Sequence, residues 1–310
     1  LRLDQIPGRT IAPTGFDLQR FRPVRAAFSE WPVAAGRRAN CQIDCQQKME
    51  TTMGRRFVDI SVALRAGIAS DPPGGEPKIH YEGHQESIPR MLRHFPGVTP
   101  EQLPDGEGWA TEQCQISTHN GTHVDAPWHY ATTMDRGKRA ATIDEIPLEW
   151  FHQPGVKLDF RHFPDGYLVS ADDIDAELSR IGHRLRPLEI VVVNTAAGAR
   201  YGEPDYVPTG CGMGREATLY LTSRGVRVVG TDAWSWDAPF VHTARKFAAT
   251  GDASLIWEGH KSGREIGYCQ IEKLANLEQL PAIGFTVICF PVKVKDGSAG
   301  WTRAVALIDE

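Results

Sequence analysis

The chain has 310 residues, 41% hydrophobic and 24% charged, a balance that fits a soluble globular protein with ample material for a buried core. Its 34 Lys and Arg stand against 39 Asp and Glu, a net charge of -5 with histidine neutral, which argues against a dedicated nucleic-acid binder. No apolar run approaches the ~20 residues that span a bilayer, so a membrane span, a fibre and a wholly disordered chain are excluded.

The opening stretch, Leu1 to Lys48, differs from the rest. It carries eight Lys or Arg and four Asp or Glu, a net of +4, so the acidic excess belongs to the remainder. Four prolines and no sustained period of 2 or 3.6 mark it as a leader: a flexible arm or an extension. It lacks the compact apolar core of a secretory signal, which favours a reducing, cytoplasmic setting. Met49 and Met53 follow at once, and the working domain is expected to run from about residue 49 to 310 as one unit.

In chain order, Phe57–Leu64 reads as a strand through the alternation of Val58, Ile60 and Val62. AGIASDPPGGEPKIHYEGH, rich in Gly and Pro, reads as a surface loop, and IPRMLRHF as a short helix. Ser170 with Asp173 three residues on is close to a capping box, and Ile174, Leu178 and Ile181 form the apolar stripe of the helix it opens. LEIVVVN and VRVVG read as buried strands flanking a helix, REATLYLTSRG, stopped by Gly225. FTVICFPVKV and TRAVALI read as two more strands with DGSAGW as the turn between them. Strand, helix, strand, helix, strand predicts an α/β core, and the terminal strand-turn-strand predicts a mixed rather than purely parallel sheet. No GxGxxG follows a strand and no GxxxxGK[ST] is present, so phosphate-binding loops are not expected.

The chemistry concentrates in His119-Asn-Gly-Thr-His123-Val-Asp125-Ala-Pro-Trp-His129. Four metal-binding or proton-transferring groups fall within eleven residues, and imidazole with carboxylate suits Zn²⁺ or Mn²⁺. His123 and Asp125 have the i,i+2 spacing that aims two side chains to one side of a strand, and His119 joins them if Gly121 bends the chain. His260, in EGHKSGRE, reads on its own as part of a solvated loop. Glu272, in IEKLANLEQL, reads as the exposed face of a short helix, while Cys269 reads as a packing residue.

HNGTHVDAPWH resembles the HxGTHxDxPxH signature of the cyclase family of metal-dependent hydrolases, whose members include isatin hydrolases and bacterial kynurenine formamidases. GVRVVGTDAWSWD and the closing HKSGREIGYCQIEKLANLEQLP are similar to later segments of that family, so the resemblance runs from about Phe57 to the end. It implies a single-domain cyclase-like fold of the swivelling β/α type, with His119, His123 and Asp125 as metal ligands and His129 at the proton-transfer position. It implies His260 and Glu272 as the distant ligands that complete a centre of one or two Zn²⁺ or Mn²⁺ per subunit, in a homodimer or higher homo-oligomer.

The expected activity is hydrolysis of a C–N amide or C–O ester bond in a small molecule by metal-activated water. Ring opening of a cyclic amide or lactone, isatin-like or dienelactone-like, leads. An arylformamidase acting on N-formylkynurenine and a non-catalytic metal-stabilised binding protein are the alternatives. Kynurenine formamidases typically carry a WPGD-like segment after the first strand, and the corresponding Ala69–Gly74 departs from it. Trp109, Trp128, Trp234, Trp236 and Phe240 are candidate aromatic walls of the pocket. Asp232 or Asp237 is a candidate for orienting a ligand or the fold, and Arg90, Arg93, Arg200, Arg215 or Arg264 for meeting a substrate carboxylate.

Overall fold

A computed structural model describes residues 54–309; the leader and the domain start at Met49 to Met53 lie outside the described residues. Nine strands form one mixed sheet: β1 (Arg55–Asp59), β2 (His123–Asp125), β3 (His152–Asp159), β4 (Ile190–Asn194), β5 (Val228–Thr231), β6 (Cys269–Glu272), β7 (Phe285–Ile288), β8 (Ala299–Trp301) and β9 (Val305–Asp309). Their spatial order is β1-β9-β7-β3-β4-β5-β6-β2-β8. β3, β4, β5 and β6 run parallel, and every other pairing is antiparallel.

The parallel centre explains why LEIVVVN and VRVVG are apolar without alternation: both faces of the sheet are covered. Ile190 and Val192 of β4 enter one core, with Val124, Val228, Ile271, Phe285 and Val287. Val191 and Val193 enter the other, with Val156, Leu158 and Val229. The first core also gathers Val58 and Ile60 from one end of the sheet and Val124 from the other, because the sheet curls into a half-barrel around it.

The second core is roofed by α1 (Ala171–Arg180) and α2 (Arg215–Ser223). Ser170 caps α1 through the Asp173 amide while Asp173 accepts from the Ser170 amide, a reciprocal pair that satisfies two end donors. Ile174 and Leu178 of α1, and Ala217 and Leu221 of α2, face the sheet. Each large apolar side chain buried there contributes roughly 1.5–3 kcal/mol. α3 (Phe240–Thr250) differs: it buries none of its residues and ends at Gly251 in the left-handed region.

Three expectations need correction. KIHYE is not loop: Lys78–Glu82 pairs antiparallel with Thr111–Gln115 as a two-stranded ribbon, and its mostly exposed side chains leave no burial period to read. DGSAGW is not only a turn, because Ala299–Trp301 is the sheet's edge strand β8, too short and small-sided to carry a pattern. The first strand ends at Asp59, whose carboxylate accepts from the Ser61 amide and hydroxyl and breaks the ladder. Among the described residues, Cys114, Cys211, Cys269 and Cys289 are free thiols, and burial pushes the Cys269 thiol well above its usual range.

Gly155 sits on β3 directly opposite Phe285 of β7, and a Cβ there would lie 2.1 Å from the phenyl ring. Phe285 is 4% exposed and has no room to retreat. Gly155→Ala is therefore expected to cost about 1–3 kcal/mol, read as a lower denaturant midpoint at unchanged m-value.

Candidate metal centre

Each cluster residue is delivered by its own device. The alternation of β2 sends Val124 into the inner core and turns His123 and Asp125 together to the other side. Gly121, at φ 61°, reverses the chain ahead of β2, in a region L-residues seldom enter. His119 returns over the strand end, its Nδ1 2.8 Å from Asp125 Oδ1 and its Nε2 3.1 Å from Ser298 Oγ. After β2, the single helical turn Pro127–Tyr130 swings His129 back, so that its Nε2 lies 3.8 Å from Asp125 Oδ2. The neighbouring β6 places Glu272 opposite His123 in register, and the short helix Glu258–Lys261 carries His260.

His260 and Glu272 are therefore neither solvated loop nor exposed helix face. They are 1% and 7% exposed, because β6 is an interior strand and the His260 helix packs against α2. His123 Nε2 lies 3.3 Å from Asp125 Oδ1 and 3.6 Å from Glu272 Oε2. His260 Nε2 lies 3.9 Å from Asp125 Oδ2 and 3.5 Å from Glu272 Oε1.

The hydrogen bonds behind these groups fix which atoms face inward. His123 Nδ1 meets the Gly121 carbonyl at 2.9 Å, which can only accept, so this nitrogen carries the proton and Nε2 presents a lone pair. His260 Nδ1 donates to Asp237 Oδ2 at 2.5 Å, leaving its Nε2 lone pair inward as well. Asp237 also accepts from the Gly259 and His260 amides, and Glu272 Oε1 accepts from the Trp236 amide at 2.9 Å. The result is a knot of acceptors aimed at one another. Among the described residues, buried His123 Nε2 and both Asp125 carboxylate oxygens have no well-aligned hydrogen-bond donor, although His119 Nδ1 comes within 2.8 Å of Oδ1.

Lone pairs facing lone pairs in a dry interior are costly unless a cation or a proton stands between them. The electrostatics agree. Burial disfavours a charged His260, yet Asp125, Asp237 and Glu272 hold its pKa well above the usual range. Burial likewise opposes charge on Asp125, but the imidazoles of His123, His129 and His119 pull its pKa well below the carboxylate range. Two donor groups emerge: His119, Asp125 and His129, and His123, Asp125 and Glu272. Mixed imidazole and carboxylate donors suit a first-row divalent ion. His129 is the least tied of the set. Burial first, then the neighbouring His119 and His260, lower it to about 4 against the pull of Asp125, so its imidazole is a neutral, available base.

A cavity of about 190 Å³ opens over the cluster, walled by His119, His129, His260, Glu272, Trp234, Ser235, Phe240, Trp257, Asp71 and Lys273. Of the expected aromatic walls it includes Trp234 and Phe240, whose rings meet edge to face at 5.2 Å. The other three lie elsewhere. Trp236 is buried in the outer core, donating its indole N–H to Thr218. Trp109 packs with His94 and Arg90, and Trp128 is 41% exposed beyond the cavity wall.

Trp257 is the wall that sequence reading missed; it stacks on His260 with ring centroids 4.5 Å apart and meets the edge of His129 at 5.1 Å. The cation at the cavity is not an arginine: Arg90, Arg200 and Arg215 pair with Glu82, Asp205 and Glu265. Lys273, beside Glu272 and 1% exposed, pairs with Asp71 and donates to the His119 carbonyl. Asp232 orients the fold instead, accepting from the Thr195 amide and hydroxyl and the Asn194 amide.

Fold and donor set together define an α/β protein with a candidate divalent-metal centre at one end of a curled sheet. The Cyclase family model matches residues 58–238, and the chain belongs to that family. It is 27% identical over 223 residues to an isatin hydrolase from Roseibium aggregatum, covering 66% of this chain and 77% of the relative. A kynurenine formamidase from Erythrobacter litoralis is 26% identical over 253 residues, covering 81% of this chain and 93% of the relative. Among solved structures, an isatin hydrolase bound to the product analogue thioisatinate superposes with a TM-score of 0.64 at 22% identity, over 83% of this chain and 93% of that one. That likeness is one of fold. Among the described residues, no helix is long and apolar enough to cross a membrane.

Asp237 fixes the tautomer of His260 and is expected to set affinity for metal without touching it. Asp237→Asn should weaken Zn²⁺ or Mn²⁺ binding about 10- to 100-fold in a competition titration with a chromophoric chelator. Unchanged affinity in a folded variant would remove this role.

Proposed function

We propose that the chain is a metal-dependent hydrolase that opens a small cyclic amide or lactone, with His119, His123, Asp125, His260 and Glu272 as the ligand set and His129 as the general base. The observation that carries this reading is the inward convergence of imidazole and carboxylate groups on buried Asp125, with the His129 imidazole held beside them. Kinship with an isatin hydrolase supports the cyclic substrate. A divalent metal, when bound, supplies a Lewis acid that lowers the pKa of water and polarises a carbonyl.

The chain's own residues do the rest. His129, through the Nε2 that faces the cluster, accepts a proton from the water whose oxygen bonds to the substrate carbonyl carbon. The C–N or C–O bond of the ring then breaks, and the same nitrogen returns the proton to the departing nitrogen or oxygen. The ring-opened product retains both halves as an amine or hydroxyl and a carboxylate. Trp234, Phe240 and Trp257 exclude bulk water from the cavity and hold a flat ring. The Lys273 and Asp71 pair keeps the wall beside Glu272 in place.

The second reading is an arylformamidase, favoured by the kynurenine formamidase that matches over 93% of its own length. Parallel kcat/KM measurements on isatin, cis- and trans-dienelactone and N-formylkynurenine decide between them, with a cyclic substrate expected to lead. His129→Ala is expected to lower kcat about 10²- to 10⁴-fold while metal content and the circular dichroism spectrum stay at wild-type values. Full activity after verified removal of the metal by a chelator would overturn the metal-dependent reading.

A further inference from the structure

The cavity over the ligand cluster, about 190 Å³, is smaller than the roughly 300–1,000 Å³ usual for small-molecule sites. It does not stand alone. Phe240 and Trp257 are also walls of a second hollow of about 450 Å³, completed by Thr243, Ala244, Phe247 and Ile256. Together the two hollows reach the ordinary size range.

The second hollow is apolar and carries no charged side chain. The Thr243 hydroxyl is turned toward the Ala238 carbonyl. Phe240, Phe247 and Ile256 are 50%, 39% and 53% exposed, on and just after a helix that buries nothing. A contiguous apolar surface of this kind ordinarily has an occupant. Trp257 borders both spaces, since the ring that lines the hollow also lines the cavity over the cluster and stacks on His260. It is held at φ 59°, a strained conformation for an L-residue that tends to persist where a site requires it.

We infer that this hollow is the outer half of the substrate site, and that it takes an apolar arm, aryl or alkyl, borne by the cyclic amide or lactone whose carbonyl lies over the ligand cluster. The inference rests on the hydrolase reading for the carbonyl end, and on the adjacency of the two hollows across their shared walls, Phe240 and Trp257, for the arm. The preferred substrate is accordingly larger than an unsubstituted ring. The carbonyl end is placed by polar groups and the arm by burial alone, so arm length is selected and arm chemistry is not.

The test uses the full-length, Zn²⁺-loaded chain and two substrate series: γ-butyrolactone, γ-octalactone and γ-dodecalactone, and isatin with N-benzylisatin. Each methylene that enters the hollow should raise kcat/KM on the order of fourfold. Phe247→Ser/Ile256→Ser should reduce the long-to-short ratio tenfold or more, whereas Val292→Ser, at an exposed apolar position outside both hollows, should leave that ratio as it is. Calorimetric binding of 4-hydroxydodecanoate against 4-hydroxybutyrate gives a readout independent of turnover.

If no ring is hydrolysed but the long hydroxy acid still binds more tightly, and the double variant removes that advantage, the hydrolase reading falls and the apolar-arm site stands. If short rings are opened with no dependence on the arm, this inference falls alone. A change of oligomeric state in the double variant, with an unchanged substrate ratio, assigns the hollow to a second copy of the chain and overturns the inference.

Discussion

A fully buried carboxylate ringed by imidazoles is the constraint on which the rest of this structure depends. Asp125 lies at the end of an interior strand, and nitrogens of His119, His123, His129 and His260 approach its carboxylate, with the Glu272 carboxylate close by. The Gly121 carbonyl, Asp237 and the Trp236 amide reach the knot only from behind, fixing tautomers and orientations. The arrangement concentrates inward-facing donor atoms that a proton or a divalent ion would satisfy.

That arrangement has an identifiable source. β2 is hemmed between β6 and β8, so His123 faces Glu272 on one side and Trp301 on the other. Behind it, the Thr122 hydroxyl donates to the Lys273 carbonyl at 2.6 Å and accepts from the Val62 amide. Lys273 extends the tie to Asp71 and the His119 carbonyl, while the Asn120 amide donates to the Gly75 carbonyl. Thr122 and Asn120, which sit among the histidines in sequence, thus secure the first-strand loop to the histidine-rich turn.

How legible this was in the sequence depended on distance along the chain. The α/β class, the capped helix at Ser170 and the buried strands at Ile190 and Val228 follow from local patterns that tertiary packing reinforced. The local half of the site was equally readable, since two-residue alternation and one glycine bring His119, His123 and Asp125 together. His260 and Glu272 looked like surface residues because polar neighbours masked an interior strand and a packed helical turn; only the family resemblance singled them out. Asp71, Lys273 and Trp257 had no local signal, because each acquires its role from a contact made across the fold. Trp128 and Trp236 drew attention through proximity in sequence, yet strand and helix geometry turned one outward and the other into the core.

The position of β2 has a bearing on how the molecule comes into being. Its neighbours in the sheet are both C-terminal, and the bond joining Thr122 to Lys273 closes a loop of 151 residues. During synthesis the histidine-rich turn leaves the ribosome long before the strands that flank it. Until they dock, its imidazoles and carboxylate remain in water with part of the donor set missing. The candidate centre is therefore completed only late in assembly, when β6 docks and brings Glu272 opposite His123.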